Sequence, residues 1–481
     1  MFSIISEKSE ELPDVAEFVE KLNAFQRSAE FFDAESEIFL TRAPGRLDLM
    51  GGIADYSGSL VLQYPIREAT FAAIQKDSAP AVSIASLSSE TGDFRSFEIP
   101  LERLKQAGYK ALRALFQTHR ENHWAAYIAG IFAVLSNELN ADLTTGARVF
   151  IRSDVPEGKG VSSSAALEVS VAQAVGKAFD LNLTARETAL LCQKTENEIV
   201  GAPCGVMDQM VSAGGAENRL LALLCQPAEL KGTIQLPDEI EIWGIDSGIR
   251  HSVAGADYGS VRAGAFMGYR IFAGIAGLKV ENLDDNQVKI TDEKWHGFLA
   301  NITPEEFEKH FKPHLPKKIT GKEFLEKYHG TTDKITTINP EKEYAIMNPT
   351  AHPIYENYRV QKFAEILNEP PGESKLKRLG ALMFASHASY SACGLGSDGT
   401  DWLVERVKES GAENGLYGAK ITGGGSGGTV AVLGRRGAAH AVEAVTAEYE
   451  KQTGRKPQIF RGSSPGAAEF GFRILLAAAK N

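Results

Sequence analysis

Cysteine is scarce in this 481-residue chain, with four residues: Cys192, Cys204, Cys225 and Cys393. They show no metal-ligand spacing and no paired framework. That excludes a disulfide-stapled secreted domain or a zinc module and predicts reduced thiols in a cytoplasmic protein. Clustered basic charge is missing as well. The 51 Lys and Arg against 62 Asp and Glu leave a net charge of −11, with no long basic run. Nucleic acid and anionic membrane are therefore poor partners. No apolar run approaches the roughly 18 residues of a membrane span. The N-terminal MFSIISEKSEELPD turns acidic where a secretory signal stays apolar. What remains is 43% hydrophobic and 23% charged, with mean hydropathy −0.17. The length suffices for about two or three domains with cores of their own.

Val15, Phe18, Val19, Leu22 and Phe25 recur at helical spacing and predict an amphipathic helix. Residues 37–42 and 147–152 read as strands, and residues 161–179 as a helix. Thr184-Ala-Arg-Glu187 fits a capping box that starts a helix running to about Val200. Residues 279–353 are more polar, rich in Lys, Glu and Pro, and read as an insertion or surface subdomain. There is no internal repeat or low-complexity linker. Interleaved strands and helices predict an α+β architecture of two lobes with a cleft between them, divided as 1–235 and 236–481.

Three stretches carry chemistry. The first, Arg42-Ala-Pro-Gly-Arg-Leu-Asp-Leu-Met-Gly-Gly-Ile-Ala-Asp-Tyr-Ser-Gly58, combines a predicted Pro44-Gly45 turn with Arg46, paired glycines and Asp55-Tyr56. The second, Pro156-Glu-Gly-Lys-Gly-Val-Ser-Ser-Ser-Ala-Ala166, lies between a strand and a helix. Gly158 and Gly160 let backbone amides approach a polyphosphate, and the helix N-terminus adds about half a positive charge. Ser162, Ser163 and Ser164 offer hydroxyls to phosphate or Mg²⁺. No Walker spacing is present. Taken alone, the loop reads first as a plain Ser-capped helix, and Lys159 as a solvated loop lysine. The third, Thr422-Gly-Gly-Gly-Ser-Gly-Gly428, excludes regular structure and leaves a backbone-lined turn. Between them Glu196-Asn-Glu-Ile-Val-Gly-Ala-Pro-Cys-Gly-Val-Met-Asp208 supplies carboxylates, each of which taken alone is also a turn or cap residue.

In order and spacing these stretches resemble the three signatures of the GHMP small-molecule kinases, galactokinase branch. The resemblance implies a GHMP kinase fold, with an N-terminal lobe like ribosomal protein S5 domain 2 and a ferredoxin-like C-terminal lobe. The active site then lies in the cleft between them, and the substrates are ATP and a small sugar, with Mg²⁺. It implies that Asp208 contacts the sugar hydroxyl to be phosphorylated and that Arg46 is the catalytic arginine. Glu196 and Ser164 are expected at Mg²⁺. Gly158, Gly160, Ser162, Ser163, Ser164, Ala165, Gly424 and Gly425 are expected at the nucleotide. Asp246-Ser-Gly-Ile-Arg-His-Ser-Val-Ala-Gly-Ala-Asp-Tyr258 resembles a further galactokinase segment, which places Tyr258 at a sugar hydroxyl and gives His251 a structural role. The chain is compatible with a monomer or a homodimer.

Galactokinases carry Glu-His-Thr-Asp-Tyr where this chain has Gly52-Ile-Ala-Asp-Tyr56. The resemblance implies that Asp55 still binds ring hydroxyls, while Gly52 and Ile53 replace the groups that serve the 6-hydroxymethyl end of galactose. A site without that carboxylate forfeits a charged hydrogen bond of about 1.5–3 kcal/mol. L-Arabinopyranose has the galactose configuration and lacks the hydroxymethyl group. Met50–Gln63, His352–Tyr358 and Ser389–Asp401 further resemble the kinase half of plant L-arabinokinases, which carry an added N-terminal glycosyltransferase-like half. The expected activity is thus phosphorylation of the anomeric hydroxyl of L-arabinose. A galactokinase and a non-catalytic galactokinase-like sugar sensor are the alternatives.

Overall fold

The structure, a computed structural model, describes residues 1–5, 12–88, 92–141, 143–250 and 256–477; His251 lies outside them. Two sheets organise the chain. The larger has nine strands among the described residues. Its order is Phe2–Ile4, Arg473–Ala477, Ile38–Met50, Leu60–Asp77, Gly146–Ser153, Ala81–Ser88, Phe94–Pro100. Arg219–Leu224 also pairs with Leu60–Asp77 and carries Glu229–Gln235 beyond it. The 236–481 segment therefore contributes to both sheets, because its last described strand returns to the first.

The smaller sheet is antiparallel, in the order Leu416–Ile421, Thr429–Arg435, Ile240–Asp246, Ile459–Arg461. Helices Glu373–Ala392, Asp398–Ser410 and Ala439–Thr453 connect and cover it. With the first chain strand central and the second at an edge, this is a ferredoxin-like arrangement. The Ser163–Ala178 helix packs its buried Val169, Ala172 and Val175 against the large sheet.

The predicted helices appear at Pro13–Ala29, Ser163–Ala178 and Ala185–Thr195, the last with its Thr184–Glu187 capping box. Two local expectations are corrected. Pro44-Gly45 is not a turn but a bulge inside the Ile38–Met50 strand, whose pairing slips between Pro44 and Arg46. A Cβ at Gly45 would lie 2.6 Å from the Val161 carbonyl oxygen, and the Arg46 N–H donates to that oxygen at 3.0 Å. The bulge thus lets the phosphate-loop candidate rest on the strand. The 279–353 stretch, in turn, ends at Ile346 as an insertion, since Met347–Leu367 is one helix. It is not merely polar: Trp295, Phe307, Phe311, Phe324 and Tyr344 are buried with Phe272 and Ile354 in a core of their own.

A buried ion pair ties the two sheets together. Lys420 donates to Asp48 Oδ2 at 2.6 Å, with both side chains at 0% exposure. Asp48 Oδ1 also accepts from Gln63 Nε2 at 2.7 Å and from the Gly52 N–H at 3.0 Å. Such a fully bonded pair fixes geometry more than it stabilises. Here it fixes the start of the Gly52–Ser57 turn relative to the second sheet.

Candidate active site

A cleft of about 700 Å³ is lined from both halves of the chain. One side is the second glycine-rich stretch. Ser162 turns into a left-handed conformation, φ 63°, and the Ser163–Ala178 helix starts immediately after it. Gly158, Gly160 and Ser162 to Ser164 therefore face the cleft together with the open N–H groups of that helix. The Ser162 hydroxyl is buried without a hydrogen-bond partner, as expected of a group placed for a ligand. Gly423 and Gly424 close the cleft from the third stretch. The two loops touch backbone to backbone: a Cβ at Gly428 would lie 2.8 Å from the Lys159 carbonyl oxygen, which accepts from Thr429 Oγ1 at 2.8 Å. Lys159 is not a solvated loop lysine, since its Nζ meets Asp246 Oδ2 at 2.5 Å across the two halves.

Asp208 and Arg46 form the centre. Arg46 Nε donates to Asp208 Oδ1 at 3.0 Å and its Nη2 lies 2.8 Å from the same oxygen. Its Nη1 is anchored on the Gly160 carbonyl oxygen at 2.7 Å. The guanidinium thus links the carboxylate to the phosphate-loop candidate. Arg46 is 2% exposed, whereas the Asp208 side chain keeps 25% open to the cleft. Glu196 sits in a π-helical turn that ends the preceding helix. Burial raises its pKa to about 7, against the hydroxyl of Ser164, which bonds to it. Gln209 Nε2 donates to Glu196 Oε2 at 2.6 Å and approaches the fully buried Glu168 at 3.3 Å.

Opposite lies a wall of Ile53, Asp55, Gly205 and Tyr258. Asp55 accepts from the Tyr56 N–H at 2.6 Å. Burial raises its pKa to about 7, helped by the charge of Asp208 and opposed by that of Arg262. A Cβ at Gly205 would lie 1.6 Å from Asp55 Oδ2, so only glycine fits beneath that carboxylate. Sequence reasoning missed Gly205, Gln209 and Gly423, although Gly205 precedes Asp208 by three residues and Gln209 follows it directly.

Three expected residues do not line the cleft. Ala165 is buried in the first helical turn, and Gly425 packs against Leu395. Gly52, at φ 46°, faces Tyr390: a Cβ there would lie 1.4 Å from the Tyr390 hydroxyl oxygen. That hydroxyl accepts from the Ile53 N–H at 2.8 Å and donates to the Gly423 carbonyl oxygen at 3.2 Å. The place where a side chain at position 52 would begin is filled by a tyrosine from the other half of the chain, and Ile53 alone of the two faces the cleft.

The descriptions "GHMP kinases N terminal domain", "Galactokinase galactose-binding signature" and "GHMP kinases C terminal" match residues 126–216, 27–76 and 366–451. A galactokinase of Chloroflexus aggregans is 30% identical across 87% of this chain and 90% of its own length. The chain belongs to the galactokinase family of GHMP kinases. Within that family, the L-arabinokinase of Arabidopsis thaliana is 43% identical over 95% of this chain. The chain spans about half, 49%, of that protein's length. The crystal structure of Lactococcus lactis galactokinase complexed with galactose shares the GHMP kinase fold. Its TM-score is 0.69 at 21% identity, over 93% of this chain and 99% of that one. This GHMP kinase thus presents the three signature stretches around one cleft. No helix among the described residues is long and apolar enough to cross a membrane.

Proposed function

We propose that the chain is a sugar 1-kinase that transfers the γ-phosphoryl group of ATP to the anomeric hydroxyl of L-arabinopyranose, giving β-L-arabinose 1-phosphate and ADP. The observation that carries this reading is the Asp208–Arg46 pair. It stands in one cleft between a helix N-terminus with an unpartnered serine and a wall holding Asp55 and Tyr258. Asp208 accepts or orients the anomeric proton as the sugar oxygen attacks the γ-phosphorus and the bond to the β-phosphate oxygen breaks. Arg46 offsets charge on the transferring group, pre-set by its bond to Gly160. Asp55 and Tyr258 hold the ring hydroxyls.

The donor set suits Mg²⁺: one carboxylate, Glu196, and the hydroxyl of Ser164 beside the phosphate loop, in keeping with a cation that takes few protein ligands and keeps phosphate oxygens. Mg²⁺ would neutralise polyphosphate charge there. Ile53 supports the pentose, because an apolar side chain faces the cleft where a hydroxymethyl group needs a polar partner. The 43% identity to the Arabidopsis L-arabinokinase supports it as well. We read residues 1–235 and 236–481 as the two kinase lobes, the C-terminal strand excepted. Free cysteines and ATP use fit a cytoplasmic setting.

An ADP-release assay with L-arabinose and with methyl β-L-arabinopyranoside tests the reaction. Turnover of the free sugar and none of the glycoside, which lacks the anomeric hydroxyl, is expected. Equal turnover of both refutes a 1-kinase. Nucleotide binding without ADP release from L-arabinose, D-galactose or D-fucose leaves a sugar sensor.

A further inference from the structure

The 279–346 insertion brings a buried carboxylate, Asp333, beside the sugar wall. Asp333, 3% exposed, takes both forks of Arg262: Nε donates to Oδ2 at 3.0 Å and Nη2 to Oδ1 at 2.8 Å. The carboxylate is itself fixed by the N–H groups of Ile335 and Thr336, at 3.1 and 3.2 Å, and by the Thr336 hydroxyl at 2.5 Å. Arg262 is 6% exposed. Its remaining nitrogen, Nη1, points to the Cys204 carbonyl oxygen at 3.5 Å, and its plane lies 5.3 Å from the Tyr56 ring and 5.5 Å from that of Phe266. Tyr258 stands one turn earlier on the same helix, and the Tyr56 and Tyr258 rings meet edge to face at 6.1 Å. Arg262 is thus a buried cation directly behind Asp55, Tyr56 and Tyr258.

We propose that Asp333 is a positioning residue for the sugar: by engaging both Nε and Nη2 of Arg262, it holds the guanidinium behind the wall and leaves the Asp55 carboxylate for ring hydroxyls. The proposal rests on the reading of Asp55 as a sugar ligand. A buried arginine stripped of its carboxylate seeks another, because an unpaired charge in the interior is costly. Asp55 is buried beside it and shares its electrostatic field. An Arg–carboxylate fork formed there occupies the oxygens that the sugar needs. The insertion thereby gains a purpose: it supplies the anion that keeps the sugar site open.

The test compares sugar and ATP kinetics of wild type, Asp333→Asn, Asp333→Glu and the double variant Arg262→Met with Asp333→Asn. Asp333→Asn is expected to raise the sugar KM about tenfold or more, the worth of one charge-assisted hydrogen bond, with the ATP KM within twofold. Asp333→Glu recovers part of the loss. The double variant, in which no misdirected cation remains, returns to within about threefold of the wild-type sugar KM. A merely structural role predicts the opposite, with the double variant worse than the single one. A sugar KM unchanged in Asp333→Asn, or a double variant no better than the single, overturns the proposal. If Asp333→Asn does not fold, the double variant decides alone by the same threefold criterion. Wild-type protein that turns over no sugar sinks the underlying reading instead.

Discussion

Replacing Gly52 by alanine adds one methyl group at a place already filled. The new Cβ would sit 1.4 Å from the Tyr390 hydroxyl oxygen, 2.6 Å from Cζ and 2.8 Å from Asp48 Oδ2. The Tyr390 ring is fully buried, so it yields only by giving up its bonds to Ile53 and Gly423. Overpacking costs about 1–3 kcal/mol, the two lost hydrogen bonds together about 1 kcal/mol at the low end of their range, and a left-handed backbone without glycine about 1 kcal/mol. The sum, roughly 3–5 kcal/mol, takes a large share of a typical native stability. At about 1 °C per kcal/mol for a chain of this length it lowers Tm by about 3–5 °C. In a Tyr390→Ala background the contact with the ring disappears and the 2.8 Å approach to Asp48 Oδ2 and the left-handed backbone remain, so the same substitution is expected to cost about half as much. Thermal unfolding of the four proteins gives the coupling directly. Equal Tm losses from Gly52→Ala in both backgrounds would refute the reasoning. A corollary is that Gly52→Glu, which restores the galactokinase residue, does not restore galactose use, because its side chain starts inside Tyr390.

Asp208→Asn keeps the hydrogen-bonding shape but cannot take up a proton; turnover is expected to fall about 10²–10⁴-fold with the nucleotide KM and Tm nearly unchanged. Full activity would remove Asp208 from the mechanism. The buried carboxyls also set a pH dependence. Asp55 and Glu196 hold protons to about pH 7 in the folded chain, against reference values of 3.8 and 4.5. Between those limits the folded state binds more protons than the unfolded one. The contribution of these two carboxyls to stability is therefore fully present below about pH 4 and is lost as pH rises through 7, by at most about 1.4 kcal/mol per pH unit per carboxyl. Asp55→Asn should flatten the Tm–pH curve of the ligand-free protein; identical slopes would contradict a buried, hard-to-ionise Asp55.

The parts of the site that run on backbone were legible from sequence. Glycines and serines at 158–164 and the glycine run at 423–428 point to phosphate-binding backbone because no other residues leave the amides so open, although within that run the expectation fell on Gly425 where Gly423 lines the cleft. Arg46 and Asp208 were legible through the company they keep. Ala165 apart, which its own helical turn buries, the misreadings involve partners distant in the chain. Position 52 looked like part of the sugar pocket because nothing in the local sequence reveals Tyr390, whose hydroxyl meets Ile53 across 337 positions. Lys159 looked solvated because its partner Asp246 comes from another strand. Pro44-Gly45 has turn chemistry, yet the surrounding strand is paired with Leu60–Asp77 before and after it and absorbs it as a bulge. The insertion hid its core because its aromatic residues are spread among lysines and glutamates, and it hid Asp333 because Arg262 lies 71 positions away.

The central claim is that this galactokinase-family cleft takes a galactose-configured ring without a sixth carbon. Its most direct test is the ratio of kcat/KM for L-arabinose to that for D-galactose, measured on the same purified protein with saturating ATP and Mg²⁺. With no carboxylate at position 52 and an apolar Ile53 facing the cleft, a ratio above about ten is expected, the worth of the missing charged hydrogen bond. A ratio below one-tenth would contradict the account and make the chain a D-galactose kinase.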